Sequence, residues 1–310
     1  MTRSIAHPPY SGLLRRLDGL FVPTMLAPVT AVARTSTRLC TQLGGLPSAV
    51  VSAAANAEIA TDPTGLVFRG SNTASDNWWN VATPTGFRLG ALGITAVVRM
   101  RKRDTTIRAS TAFANNFALT RCSVHLPEAG GVSWDVDGPS GYARTQYNWE
   151  GNAARFPLTQ WHTWVFTANH TRDETAIWCD GQEVASRVAA GLGATYSVNE
   201  SNFMFCGAPV YGSDGRGYGG SDDSDYQYFG FWQRALRVDE IQMISRYPDL
   251  LKTMGSRLAT LSLSGRILRP TSDIANTGWT PTPAFSRLQT VNGETVTGTG
   301  VGNALSVGLG

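Results

Sequence analysis

ETAIWCDGQEVASRV, residues 174–188, decides the fold. Asp180-Gly181 sits between Ala176-Ile177-Trp178-Cys179 and Gln182-Glu183-Val184. Asp-Gly supplies the positive φ angles that a two-residue hairpin turn demands, so the stretch predicts two antiparallel strands. Upstream, QWHTWVFTANH (160–170) puts His162, Trp164 and Phe166 on one strand face and Trp161, Thr163 and Val165 on the other. GITAVVRMR (93–101) alternates in the same way. Downstream, QYFGFWQRALRVDEI (227–241) reads as a greasy strand that ends in a short helix. Phe229 and Phe231 are expected to face a core between sheets, with Tyr228, Gly230 and Trp232 on the opposite face. No βαβ alternation occurs, which argues against a parallel sheet and leaves an antiparallel β-sandwich as the expectation.

The composition agrees. In 310 residues, 16% are charged and 33 are glycine, a mixture that suits an all-β fold with many tight turns. Lys102 and Lys252 are the only lysines, and the net charge of +3 is too small to imply a polyanionic partner such as nucleic acid. Residues 1–57 hold Arg3, Arg15, Arg16, Arg34 and Arg38 against Asp18 alone, so the positive excess lies there. Cys40, Cys122, Cys179 and Cys206 are widely spaced, without metal-ligand spacing, and read as buried free thiols. No apolar run is long enough for a membrane span. GLFVPTMLAPVTAVA (19–33) imitates a signal peptide after Arg15-Arg16, but Asp18, Pro23 and Pro28 speak against that reading.

Three segments follow. Residues 1–57 read as an arm in which SGLLRRLDGLF places Leu13, Leu14, Leu17, Leu20 and Phe21 on one helical face, with Arg15, Arg16 and Asp18 opposite. That helix either packs on its own domain or docks on a partner; as a docking arm it would use Leu13, Arg15, Arg16, Leu17, Leu20 and Phe21. Residues 58–252 carry the strands. Residues 253–310, rich in Pro, Thr and Gly, read as a short β extension suited to strand addition on a neighbour.

Three motifs in 58–252 resemble the laminin G-like branch of concanavalin A-type jelly rolls. Trp161-His162-Thr163-Trp164-Val165-Phe166-Thr167 stands where that family has W-H-H-V-x-V-T. Ile177-Trp178-Cys179-Asp180-Gly181-Gln182-Glu183-Val184 matches L-Y-V-D-G-x-x-V, and Gln233-Arg234-Ala235-Leu236 with Glu240-Ile241 matches the closing N-R-A-L-S-x-x-E-I. The resemblance implies a two-sheet jelly roll closed by a short helix. Glu240 stands where its side chain can bond back to a free helical amide, while Arg237 replaces the usual capping Ser. Where the family has an acidic pair before the final strand, this chain has Tyr226-Gln227-Tyr228, against the family's usual calcium or sugar site. A second likeness, of SDIANTGWTP (272–281) to segments of tailed-bacteriophage structural proteins, is short.

Glycanases need paired carboxylates flanking the bond, and Asp135 with Asp137 is the nearest pair on one strand face, without a third. GSDGRGYGGSDDSDY gathers Asp214, Asp222, Asp223 and Asp225, oxygen donors that suit calcium, although the spacing is not that of an EF-hand. Trp78, Trp79 and Trp232 are candidates for stacking on sugar rings. His162 beside Trp164 reads as structural. No catalytic motif occurs.

The expectation is therefore a non-enzymatic structural protein of a bacteriophage virion. It would decorate or cement a capsid, or form part of a neck or tail. Its partners would be other virion proteins, in many copies or as a homo-oligomer, and it would be made in the host cytoplasm. The alternative is a carbohydrate-binding module for host-surface glycans, with or without calcium. No other cofactor is implied.

Overall fold

The structure is a computed structural model. It describes residues 19–21, 23, 40–41, 50–53, 57–71, 78–82, 93–106, 110–115, 122–128, 130–138, 141–192, 202–206, 223–249, 251–252, 290–291 and 294–295. The chain divides into two compact units, Met1–Ser256 and Arg257–Gly310.

The first unit holds β1 (Gly19–Phe21), β2 (Cys40–Thr41), β3 (Val50–Ala53), β4 (Glu58–Asp62), β5 (Gly65–Arg69), β6 (Trp79–Ala82), β7 (Ile94–Lys102) and β8 (Phe113–Asn115). It continues with β9 (Cys122–Glu128), β10 (Gly131–Gly138), β11 (Gly141–Tyr147), β12 (His162–Asn169), β13 (Glu174–Cys179), β14 (Gln182–Val188), β15 (Asn202–Phe205), β16 (Ser224–Trp232) and the helix α1 (Val238–Arg246). In the second unit, β17 (Thr290–Val291) and β18 (Glu294–Thr295) pair with each other.

Two antiparallel sheets result. The first runs β14-β13-β12-β7-β16-β1-β2, with β5 beside β16 and β4 beside β5. The second runs β11-β10-β9-β8-β15-β6-β3. This is the expected all-β, two-sheet jelly-roll sandwich; besides α1, residues 248–249 and 251–252 are helical and Glu150–Asn152 forms a 3-10 turn. The hairpin that predicted it turns at Asp180 (φ 48°) and Gly181 (φ 80°), both in the left-handed region that Asp-Gly favours.

Alternation along each strand separates two apolar layers. Val98, Trp164, Phe166, Ile177, Phe229 and Phe231 face the second sheet's Trp134, Val124 and Phe205. The Trp134 indole donates to Thr167 O of the opposite sheet at 3.0 Å. On the other face of the first sheet, Val97, Val165, Trp178, Tyr228 and Trp232 pack with Leu236, Ile241 and Ile244 around α1. Burial on both faces explains why β7, β12 and β16 are so greasy. Glu240 accepts the Arg237 N–H at 2.9 Å and a two-pronged contact from Arg234 at 2.7 Å, so α1 starts on the carboxylate half of a capping box. Burial pushes the Glu240 carboxyl up, but the Arg234 and Arg237 contacts together outweigh it and hold the group below its usual range.

One expectation is corrected here. Gly19–Phe21 is a strand, not part of a helix: it pairs with β16 and β2. Leu20 faces the α1 layer and Phe21 the core between the sheets, where its ring stacks 5.0 Å from Phe205. Both are fully enclosed by the fold itself and so are not partner contacts. Leu13, Arg15, Arg16 and Leu17 lie outside the described residues. Cys122, Cys179 and Cys206 are buried and form no disulfide, as expected. Among the described residues, no helix is long and apolar enough to cross a membrane.

Candidate functional site

The outer face of the first sheet changes character along its strands. Val97 and Val165, cross-strand partners, lie in the layer with α1. Two residues further on, the pair is Arg99 and Thr163. Two further again on β7 is Arg101, whose guanidinium lies over the Trp161 ring at 4.9 Å from its centroid. An apolar stripe thus becomes a polar row.

A bulge completes the row. The register of β16 on β7 shifts between Tyr226 and Tyr228, so Gln227 is an extra residue beside Arg99. Bulges re-aim side chains in this way. Arg99 Nε donates to Gln227 Oε1 at 2.9 Å, and its Nη1 donates to Thr163 Oγ1 at 2.9 Å. Gln227 Nε2 donates to Thr64 Oγ1 at 2.7 Å.

Thr64 sits on the turn between β4 and β5. Asp62 Oδ1 accepts its amide at 2.8 Å and its hydroxyl at 2.6 Å, which fixes the turn. Asp62 Oδ2 takes Arg101, and Lys252 Nζ donates to the Thr64 carbonyl. Burial pushes the Asp62 carboxyl up, but the Thr64 and Arg101 contacts outweigh it and hold the group below its usual range. Burial also lowers the Lys252 ammonium; Asp249 and Asp62 oppose that, and the Arg99 charge adds to it.

The predicted calcium ligands resolve differently. Asp225 is a buried strand residue, not a loop ligand. Arg69 reaches it at 3.2 Å, Arg101 at 3.2 Å and Arg103 at 3.0 Å, so its oxygens are already engaged. Asp223 pairs with Arg103 at 3.0 Å. Asp214 and Asp222 lie outside the described residues.

The predicted sugar-stacking rings are also mostly interior. Trp79 packs edge-on to Phe68 at 5.3 Å, and Trp232 is enclosed in the α1 layer. Neither can meet a ligand, because Trp79 is buried between the sheets and Trp232 under α1. Trp78 is half-buried. The half-buried ring that does lie in the polar row, Trp161, was not singled out for binding; nor were Arg99, Arg101, Thr64, Gln227 or Lys252. Arg99 and Arg101 on one face of an otherwise apolar strand were the available signal.

Two other polar clusters are closed. His162 Nδ1 lies 2.7 Å from Asp180 Oδ2 and its Nε2 lies 2.9 Å from Pro157 O, while Asp180 Oδ1 accepts the Thr163 amide. This ties the hairpin turn to β12, a structural role as expected. Cys179 brings a third donor atom within 4.8 Å of the other two. Burial pushes its thiol far up, however, and the imidazole has no free nitrogen, so the trio is poorly suited to a metal. On the second sheet, Arg144 grips both oxygens of Asp135 at 2.7 and 2.8 Å, with His125 Nε2 at 3.4 Å from Oδ2. A carboxylate clamped and buried like this is not a free glycosidase acid.

No protein-family model and no curated protein sequence matches the chain. Among solved structures it is similar to the receptor binding domain of botulinum neurotoxin D, with TM-score 0.56, 10% identity, and 77% of this chain on 54% of that one. It is also similar to the binding domain of Paraclostridial Mosquitocidal Protein 1, with TM-score 0.52, 13% identity, and 75% of this chain on 52% of that one. A third likeness is to a structure described as showing that cell entry of botulinum neurotoxin type C depends on interaction with two ganglioside molecules, with TM-score 0.54, 10% identity, and 76% of this chain on 52% of that one. At such identities the likeness is one of fold. The chain spans about half the length of the toxin domains it matches.

Proposed function

We propose that this chain is a non-catalytic, lectin-like binding domain whose ligand is a carbohydrate, held on the outer face of the first sheet beside Trp161, Arg101, Thr64 and Arg99. The polar row carries the reading. It joins a half-buried indole to guanidinium and hydroxyl groups on a rigid sheet, the mix of apolar face and directed polar contacts that sugars require. The fold likeness to receptor-binding domains, one of them dependent on gangliosides, supports it. The engagement of Asp135 by Arg144 and of His162 by Asp180 and Pro157 supports a role without catalysis.

The virion setting finds no support in these comparisons. It rests on SDIANTGWTP, outside the described residues, and loses Leu20 and Phe21 as docking residues. Co-sedimentation with particles lacking the protein tests it separately.

The glycan reading is tested by presenting the purified chain to an immobilised panel of neutral and acidic glycans while measuring released reducing sugar. Saturable binding without release is expected. Binding to no glycan, or release of reducing sugar, would overturn it.

A further inference from the structure

Arg99 differs from the arginines around it. Arg69, Arg101 and Arg103 each reach a carboxylate of Asp62, Asp223 or Asp225. Arg99 reaches the amide oxygen of Gln227 and the hydroxyl of Thr163, both neutral. Lys252 likewise donates to a neutral carbonyl, that of Thr64. Among the described residues, neither forms an ion pair. Asp62, the acid between them, has Oδ1 engaged by Thr64 and Oδ2 by Arg101. Gln227 bonds both Arg99 and Thr64, and Thr64 bonds Lys252, so one short chain of contacts joins the two cations. Both side chains are half-buried rather than enclosed.

Arg99 and Lys252 repel each other, and partial burial strengthens that repulsion; Asp249 and Asp62 offset it at Lys252, whereas both side-chain partners of Arg99 are neutral. An arriving anion relieves the repulsion. Nη2 of Arg99, which makes neither of those two bonds, can donate to a carboxylate oxygen, and an ammonium beside it adds a point charge. Asp62, Asp225 and Asp249 surround the patch and disfavour a dianion, so a singly charged group fits better than a phosphate.

We propose that Arg99 and Lys252 form a subsite for the carboxylate of an acidic sugar, with the sugar ring toward Trp161. This rests on the glycan reading and names its ligand class. Gln227 is the residue that leaves the subsite open: Glu in its place would give Arg99 an internal counter-charge and fill it.

The test is calorimetric titration of the full chain with a sialylated or glucuronylated oligosaccharide, its neutral parent, and the parent sulfated at the same position. Wild type is compared with Arg99→Gln, Lys252→Gln and Gln227→Glu. The carboxylated sugar is expected to bind about tenfold or more tighter than its parent, a preference that Arg99→Gln and Gln227→Glu remove and Lys252→Gln weakens. Gln227→Glu should melt no lower than wild type, which separates a filled subsite from a damaged fold. Equal binding of acid and parent, a preference for the sulfated form, or a preference that survives both substitutions would overturn the inference while leaving the glycan reading intact. Failure of every sugar to bind would overturn both.

Discussion

Arg99 Nε donates to Gln227 Oε1 at 2.9 Å, a guanidinium meeting a neutral amide on a sheet face where its neighbours meet carboxylates. The bulge at Gln227 makes that meeting possible, because it adds a residue to β16 opposite Arg99. On the same sheet face, a few ångströms of strand separate a packed helix contact from a polar surface. The helix side stabilises the fold; the polar side carries Arg99, Arg101 and Trp161, each half-buried.

Asp225 organises the neighbouring part of that surface, and it should behave as a structural group. Asp225→Asn keeps the shape and removes the charge shared by three arginines. The expected loss is about 2–3 kcal/mol, less than the ~3–5 kcal/mol of a fully buried pair, since Arg69, Arg101 and Arg103 are 32%, 27% and 28% exposed. Urea unfolding measures it. An unchanged midpoint would show that the carboxylate is not structural and would reopen its candidacy as a calcium ligand.

The segment read from sequence as a docking arm should be needed for folding. A chain beginning at residue 58 lacks β1, which pairs with β16, and loses Leu20 and Phe21 from two apolar layers. Loss of two such buried side chains costs on the order of 5 kcal/mol or more. A milder probe is Gly19→Ala, whose new methyl would meet the Phe231 ring. Both changes should lower the melting temperature. A truncated chain that melts like the full one would contradict the placement of β1.

Much of the fold was legible because strand alternation and turn chemistry are local. His162, Trp164 and Phe166 share the inner face, and Asp180-Gly181 turns as its residue types require. Gly19–Phe21 was not legible. A three-residue strand buried on both faces has no period of its own, so Leu20 and Phe21 joined the helical spacing of Leu13 and Leu17. The site was hidden for a related reason: Gln227 acts through a bulge, and Thr64 and Lys252 meet it only across long sequence separations. Aromatic residues drew attention because they are large, yet Trp79 and Trp232 are large because they fill the core.

Gly181 makes a separate prediction about the hairpin. Its φ is 80°, and a Cβ there would lie 3.3 Å from Ser245 Cβ and 3.4 Å from Gln242 Cα of α1. Gly181→Ala should cost about 1–2 kcal/mol from the left-handed backbone alone. Thermal unfolding checks this; a neutral result would mean that the turn relaxes without loss.

Acid should weaken the fold in a defined direction. Asp62 and Glu240 are held below their ordinary values of 3.8 and 4.5, despite burial, by Thr64 and by Arg234 respectively, with Arg101 and Arg237 adding to this. A depressed folded-state value means that the stabilisation is complete above the unfolded value and is lost as pH falls through the folded one. Melting temperature should therefore hold down to about pH 5 and fall below it. Glu240→Gln should flatten part of that fall, and a melting temperature insensitive to acid would contradict the assignment.

The central claim, that ligand is held on the outer face of the first sheet, is tested most directly by backbone hydrogen exchange with and without a bound acidic glycan. Protection is expected at the turn around Asp62–Gly65, at Arg99–Arg101, at Trp161–Thr163 and around Gln227. Protection confined to other segments, such as β10 and β11 of the second sheet, would contradict it.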